Sequence, residues 1–371
     1  LWLSLVYCFG SLMLVWAAGF ESLWWVTISL ELIAIGSSSI KATISALIGD
    51  QYTNRNYPSM AKAYSSFYFL VNLGALLSMF LTPFLYTIYG ITVAFALPAF
   101  TMVTGTLVFW LGKKKIRKEQ TSLLDRRIGS DWITLVDFKS LWGTIRRETA
   151  QAIPVFRQAF AVLTFIPIFW LLWNQSSSDW ILQAQHLDLT LFGDISLSME
   201  QVQTSNTIMV LILIPVFTSI IYPYFNKRVA SITPLRKIGA GFAFTTLSFA
   251  IIATIQHQID MGDRPSVWWQ ILAYFILTIG EVLIAISGLE FTYSIAPKRF
   301  KSIGIAFWLI MIPVGNYLVK LIYNTFYKWE IFSNSHNAYY FWLYFGIGAV
   351  TTVLFILVAR RIKLGPPEMI G

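Results

Sequence analysis

"LTIGEVLIAISGLEFTYSIAP", residues 277–297, is apolar enough to cross a bilayer, yet it carries two carboxylates, Glu281 and Glu290. A spanning helix needs about 20 predominantly apolar residues, and a charged side chain at its centre costs roughly 2.5–3.5 kcal/mol on insertion scales. On a straight helix the spacing of the two residues points them to opposite faces. We therefore assign Glu281, nearer mid-span, to a solute site. Glu290 is expected to pair across a gate or to face cytoplasmic water.

The whole chain has the composition of a membrane protein. Hydrophobic residues make up 56% of 371 and charged residues 12%, whereas a soluble domain carries about a quarter charged residues. Alternation at period two, typical of a transmembrane barrel, is absent, so the predicted fold is an all-α polytopic membrane helical bundle. Ten spans are predicted: 1–18, 24–47, 62–88, 91–112, 157–184, 205–225, 237–256, 266–296, 300–323 and 338–361.

The net charge of +9 indicates membrane topology and not nucleic-acid binding. Most Lys and Arg residues fall on alternate connections, and the positive-inside rule makes that side, with the C-terminus, cytoplasmic. We expect an integral protein of the cell membrane, a monomer, with lipid and no nucleic acid among its partners. The chain has no "GxxxxGK" phosphate loop, and its three histidines, placed in predicted outer loops, lack metal-ligand spacing. The sequence therefore predicts no enzyme, no cofactor and no metal.

The spans divide into a block of four and a block of six. Residues 1–112 resemble the remainder of an N-terminal half without its first two spans, and 157–371 form a C-terminal half. Between them, 113–156 is too charged to span and reads either as a cytoplasmic linker with an amphipathic helix or as a solvated linker helix. Transporters of this six-plus-six architecture bind solute near the midplane, between the halves.

Polar side chains inside the spans are the candidates for a solute site. Lys41 lies in "IAIGSSSIKATIS", where Gly36 and three serines allow close approach of another helix or of solute. Trp170 lies in "PIFWLLWNQSSSDW", whose amides and hydroxyls either line a wet cavity or bond between helices. Asn72 and Asn206 invite the same two interpretations.

Four stretches match family patterns in order along the chain. They are "IGSSSIKATISALIGDQY" against "GGIKPxVSAFGxDQF", "FYFLVNLGALLS" against "FYxxINxGSL", "FWLLWNQSSSDWILQA" against "FWALFDQQGSxWxLQA", and "GEVLIAISGLEFTYSIAPKRFKSIGIAFWL" against "GEVxxSxxGLEFSYSxAPxxMKSxxxAxWL". On these residues the chain resembles the proton-dependent oligopeptide transporter family of the major facilitator superfamily. The family's "ExxERFxxY" signature on its first helix is absent, as are the first two spans.

The resemblance implies particular binding residues. The positions that match the family's substrate contacts are Lys41, Asn72, Trp170, Asn206, Glu281 and Trp308. A small peptide is a zwitterion, so Lys41 is expected to hold its carboxylate and Glu281 its ammonium. Trp170 and Trp308 are expected to line the site and to accommodate many different peptide side chains. Asn174 stands where the family has an acid, and Asn cannot titrate, so proton coupling is assigned to Glu281.

The sequence thus predicts a proton-coupled symporter that imports di- and tripeptides by alternating access. One alternative keeps the fold and changes the solute to nitrate, an amino acid or another small solute, since Asn174 and Ala285 depart from the family pattern. A second alternative is a non-transporting membrane sensor or scaffold whose 113–156 segment binds a partner.

Overall fold

The computed structural model describes residues 2–20, 22–51, 59–112, 158–228, 233–295, 301–328 and 337–362. The amphipathic helix predicted within 113–156 lies outside these residues. So does the side chain of Lys41, although its backbone is helical. The predicted division of the chain at this linker stays a prediction.

The described residues fold almost entirely into helices. They are α1 (Trp2–Ala18), α2 (Leu23–Asp50), α3 (Met60–Tyr89), α4 (Ile91–Gly112), α5 (Ile166–Gln175), α6 (Asp179–Ala184), α7 (Met199–Val216), α8 (Tyr222–Arg228), α9 (Pro234–Asp260), α10 (Val267–Ile295), α11 (Lys301–Lys328) and α12 (Ala338–Arg361). Residues 158–163 are also helical, and a wider π-helical turn at Phe217–Ile221 joins α7 to α8. Pro215 lies just before that turn and lacks the amide hydrogen of a regular helix, which accounts for the local change of pitch.

Eight stretches of the described residues are long and apolar enough to cross a membrane. They are Met60–Tyr89, Ile91–Gly112, Gln158–Ala184, Gln201–Phe225, Pro234–Asp260, Val267–Ser294, Gly304–Thr325 and Ala338–Arg361. The first predicted span coincides with the shorter apolar stretch Trp2–Ala18, and the second, 24–47, only partly overlaps the stretch Leu23–Ser37. The predicted helical membrane bundle is confirmed.

The predicted span 157–184 is interrupted within the described residues. α5 ends at Gln175 and α6 starts at Asp179, with the three serines 176–178 in a turn between them. Serine side chains compete with the helix for backbone groups, and here the Ser176 hydroxyl donates to the carbonyl of Trp173 at 2.7 Å. The hydroxyl of Tyr274 on α10 donates to the carbonyl of Ser176 at 2.7 Å. This interruption fixes the C-terminal end of α5.

A short antiparallel hairpin connects α6 to α7 and was not predicted. Its strands are β1 (Thr190–Phe192) and β2 (Ile195–Ser196), with Phe192 opposite Ile195. Gly193 in the turn has φ 54°, in the left-handed region that a residue without a Cβ adopts readily. α7 then begins with a capping box, in which Ser198 and Gln201 bond reciprocally to each other's backbone amides.

The chain separates into two compact units, each with its own packing. The first comprises Leu1–Ser59 and Leu73–Leu135, and the second comprises Met60–Asn72 and Val136–Gly371. In the first unit a Cβ added at Gly36 would lie 2.6 Å from the backbone nitrogen of Tyr7, so the glycine lets α1 approach α2. The close approach predicted at Gly36 is therefore to another helix.

The second unit has a dense core in which α9 and α10 pack closely. A Cβ added at Gly280 would lie 2.7 Å from the carbonyl oxygen of Gly241, so both backbones approach at that point. Beside it the ring of Trp180 lies 4.9 Å from that of Tyr274 and 5.5 Å from that of Phe249. This core holds the middle of α10, which carries Glu281, in a fixed position.

Candidate functional site

Glu281 lies in the second unit with 3% of its surface exposed, and both carboxylate oxygens accept hydrogen bonds. The hydroxyl of Tyr68 donates to Oε1 at 2.6 Å. The indole Nε1 of Trp173 donates to Oε2 at 2.9 Å, and Nδ2 of Asn206 donates to the same oxygen at 3.1 Å. Nδ2 of Asn206 also donates to Oγ1 of Thr278 at 2.8 Å. We call these five residues the Glu281 cluster.

Four helices bring the Glu281 cluster together. Tyr68 comes from α3, Trp173 from the last turn of α5 and Asn206 from α7, while α10 contributes Thr278 and Glu281, one turn apart. Thr278 is fully buried and donates to the carbonyl of Tyr274 at 2.6 Å. Its oxygen is thereby oriented to accept from Asn206. Each donor is held by a helix segment of the second unit, so packing within that unit determines the geometry of the cluster.

The donors to Glu281 are neutral, and among the described residues the carboxylate takes part in no ion pair. Hydrogen bonds from neutral donors to a carboxylate are charge-assisted and stronger than those between neutral groups. A carboxylate has about four acceptor positions, of which three are filled here. The remaining acceptor position is on Oε1.

Tyr68 and Thr278 were missed by the sequence reasoning, and Trp173 was noted only as part of a polar stretch. A signal existed for two of them. Tyr68 precedes Asn72 by one helical turn, and Thr278 precedes Glu281 by one turn, so each shares a helix face with a predicted site residue. Tyr68 also falls on the tyrosine of the family pattern "FYxxINxGSL", although the sequence reasoning gave it no role.

Of the predicted site residues, the structure brings Asn206 and Glu281 into direct contact. Asn72 is half-buried and donates through Nδ2 to the carbonyl of Tyr68 at 2.9 Å, one turn back on α3. Trp170 packs edge-on to Trp173, with ring centroids 5.6 Å apart. Its indole nitrogen is buried with no hydrogen-bond partner among the described residues. These two residues therefore border the cluster without bonding to the carboxylate.

Trp308 on α11 is 3% exposed and covers Gly288 on α10. A Cβ added at Gly288 would overlap the six-membered ring of this indole. The absence of a side chain at 288 thus creates the space that Trp308 occupies. The role predicted for Trp308 as a wall of the solute site stays a prediction.

Asn174, which replaces the family's acid, bonds to another amide. Its Nδ2 donates to Oδ1 of Asn316 on α11, which ties α5 to α11. Lys41 was predicted to hold the peptide carboxylate, but its side chain lies outside the described residues. That role stays a prediction.

Glu290 makes an ion pair with Lys237 of the neighbouring helix α9, with 3.4 Å between Nζ and Oε2. Their side chains are 11% and 12% exposed for Lys237 and Glu290 respectively. The same ammonium lies 4.5 Å from the ring centroid of Tyr222, a cation–π contact. Both partners belong to the second unit, so this pair joins helices within one unit.

Metal binding has no support among the residues the structure covers, where no three His, Cys, Asp or Glu side chains cluster as ligands. His257 lies in the last turn of α9, and not in the loop in which it was predicted. The helix continues to Asp260, and Gln256, one turn earlier, donates to Oδ1 of Asp260 at 3.0 Å.

The fold and the Glu281 cluster define the class: a polytopic helical membrane protein with a buried ionisable group inside the bundle. Such groups mark solute and proton pathways in membrane proteins. A family model described as the POT family matches residues 1–136 and 130–343, and the chain belongs to this family. The resemblance inferred from the four stretches is confirmed.

Curated relatives and solved structures agree with this membership. Human "Solute carrier family 15 member 2" is 30% identical over 289 residues, which cover 71% of this chain and 39% of the relative. "Peptide transporter family 2" of Caenorhabditis elegans is 29% identical over 270 residues, 63% of this chain and 34% of the relative. The chain thus spans little more than a third of these relatives' length.

Two solved structures illustrate the shared fold. The crystal structure of the POT family transporter PepTSo has a TM-score of 0.70 at 30% identity, covering 97% of this chain and 82% of that one. A second structure, of a proton dependent oligopeptide (POT) family transporter, has a TM-score of 0.64 at 30% identity, covering 95% and 83%. These likenesses extend over nearly all of this chain.

Proposed function

We propose that this chain forms part of a proton-coupled symporter that imports di- and tripeptides by alternating access. The observation that carries the proposal is the buried carboxylate of Glu281, held by neutral donors from three other helices. Relatives named as peptide transporters support peptides as the solute. A charge inside a bilayer is costly, and a buried carboxylate that accepts three hydrogen bonds indicates a functional site.

In this proposal Glu281 binds the ammonium of the peptide. An ammonium carries three donors and no acceptor, and the open acceptor position of Glu281 lies on Oε1, beside Tyr68. The solute therefore adds a hydrogen bond and a charge pair at that oxygen. Lys41 is proposed to hold the carboxylate at the other end of the same zwitterion.

Proton coupling is assigned to the same carboxyl group. A protonated Glu281 is neutral, whereas the carboxylate accepts from the ammonium, so one group can carry the proton and bind the ammonium in turn within a single transport cycle. Asn174 cannot take this role, since its amide has no titrating proton. A membrane potential supplies about 2.3 kcal/mol per charge per 100 mV, enough to accumulate a small solute.

The proposal is tested by uptake of labelled dialanine into proteoliposomes with an imposed pH gradient. We expect uptake that the gradient stimulates and that collapses when an ionophore removes it. Lys41→Ala should raise the dialanine concentration for half-maximal uptake, because it removes the charge opposite the peptide carboxylate. Gradient-independent uptake would contradict proton coupling. Unchanged uptake by Lys41→Ala would contradict the proposal that Lys41 and Glu281 bind the two charged ends of the peptide.

A second candidate keeps the fold and carries nitrate or another small solute. The observation in its favour is Asn174, which pairs with Asn316 where the family pattern has an acid. Labelled nitrate offered to the same proteoliposomes separates the two candidates. Uptake of nitrate without uptake of dialanine would support this candidate and overturn the peptide assignment.

A further inference from the structure

The hairpin β1–β2 has apolar side chains on both faces near its tip. Leu191 packs against the core of the second unit. Phe192 and Ile195, which pair across the hairpin beside a register shift, are 69% and 63% exposed. An antiparallel hairpin with one face on protein normally presents polar residues on the other. The exposed pair is therefore an apolar surface that the described residues leave uncovered.

The hairpin is fixed to the start of α10. The ring of Phe192 lies 5.1 Å from that of Trp268, and the indole Nε1 of Trp268 donates to the carbonyl of Leu191 at 3.2 Å. At the hairpin base, the backbone amide of Val267 donates to the carbonyl of Asp188 at 2.9 Å. These contacts set the level of the exposed pair relative to the span that begins at Val267.

The surface beside the hairpin is an exposed apolar strip of α10. Trp268 and Trp269 in its first turn are 43% and 55% exposed, and Leu272 and Phe275 are each 39% exposed further along. Tryptophans at the end of a span occupy the boundary between lipid headgroups and acyl chains. Phe192 contacts Trp268 directly, so the apolar tip of the hairpin continues this surface.

We propose that the β1–β2 hairpin is a membrane-contacting element that rests in the lipid interface at this end of the bundle. Phe192 and Ile195 contact the glycerol and upper acyl region of phospholipids. Thr190 and Ser196, the pair nearer the base of the hairpin, face the headgroups. A phospholipid is the occupant because the apolar pair adjoins Trp268 and the exposed face of α10.

The test measures the depth of a spin label on the hairpin. Cys8 is the sole cysteine of the sequence, so Cys8→Ala provides a background for single labels. Ile195→Cys carries the nitroxide in phosphatidylcholine vesicles, and Asp263→Cys, in the exposed turn before α10, is the matched control. Collision rates with oxygen, which partitions into lipid, and with a water-soluble nickel chelate report the depth of each label.

We expect the oxygen-to-nickel ratio at position 195 to be several-fold higher than at position 263. A label at Thr190→Cys, nearer the base of the hairpin, should give an intermediate ratio. A ratio at 195 equal to that at 263 would overturn the proposal, because the tip would then lie in water. Low collision rates with both reagents at 195 would also overturn it, because they indicate burial against protein.

Discussion

The phenol of Tyr68 on α3 donates to the carboxylate of Glu281 on α10 at 2.6 Å, a bond between residues 213 positions apart. It is the shortest of the three hydrogen bonds to this carboxylate among the described residues. α3 is divided between the two units at residue 72, and Tyr68 lies on the part that belongs with α10. The side chain of Tyr68 thus joins α10, from the C-terminal part of the sequence, to a helix segment from the N-terminal part.

Removing the Tyr68 hydroxyl should weaken the site without opening the core. Tyr68→Phe keeps the ring and deletes a charge-assisted hydrogen bond, worth roughly 1.5–3 kcal/mol of folding stability, that positions the carboxylate. We therefore expect half-saturation of uptake at a higher dialanine concentration. The measurement is the half-saturating dialanine concentration in proteoliposomes. Tyr86→Phe, on the exposed part of α3, is the control and should leave it unchanged. Equal behaviour of the two variants would contradict a role for this bond.

The two neighbouring tryptophans of α5 should respond differently to the same substitution. Trp173→Phe removes the donor to Oε2 of Glu281, whereas Trp170→Phe removes an indole nitrogen with no hydrogen-bond partner among the described residues. We expect Trp173→Phe to reduce gradient-driven uptake about tenfold or more, by the same reasoning on charge-assisted bonds. Trp170→Phe should cost less in uptake. A larger loss of uptake in Trp170→Phe than in Trp173→Phe would contradict this expectation. It would mean that indole packing contributes more to binding than the hydrogen bond donated to Glu281.

Gly288 should tolerate no side chain while Trp308 is present. Gly288→Ala introduces a methyl group that overlaps the indole, and overpacking of this kind costs about 1–3 kcal/mol. The measurement is the thermal unfolding midpoint in detergent, which should fall. Trp308→Phe combined with Gly288→Ala should restore part of the loss. Gly74→Ala, where an added Cβ meets open space, is the control; a similar fall there would refute the argument.

The Lys237–Glu290 pair should show strong coupling in a double-mutant cycle. Its side chains are only 11% and 12% exposed, so Lys237→Met leaves a poorly solvated carboxylate without its partner. Breaking a buried pair costs about 3–5 kcal/mol, and replacing both members costs much less. Partial exposure should place the single-variant loss at the low end. Additive effects of Lys237→Met and Glu290→Gln on unfolding would show that the pair does not interact.

The apolar spans and Glu281 could be predicted because both depend on composition. A run of about 20 apolar residues is a local property, and a carboxylate inside it is conspicuous. Asn206 was singled out on the same ground, as an amide among apolar residues, and the family resemblance assigned it to the site. The family resemblance added Trp308. Its burial against Gly288 depends on the packing of α11 on α10, which no local sequence pattern predicts.

Other features depended on contacts distant in sequence. The break between α5 and α6 was missed because serines are tolerated in helices, and the bond from Tyr274 to Ser176 became apparent only in the fold. Tyr68 was missed because a tyrosine among apolar residues is ordinary on a membrane helix. The hairpin was missed because its strands are only 3 and 2 residues long. Such short strands leave no periodic pattern.

The central claim, that Glu281 carries both proton and ammonium, is tested most directly by Glu281→Gln. Glutamine retains the size of the side chain and loses its charge and titrating proton. We predict that the variant loses dialanine uptake driven by a pH gradient, while Asp263→Asn, which removes an exposed carboxylate from the turn before α10, retains it. Gradient-driven uptake by Glu281→Gln at the rate of the unmodified chain would contradict the account.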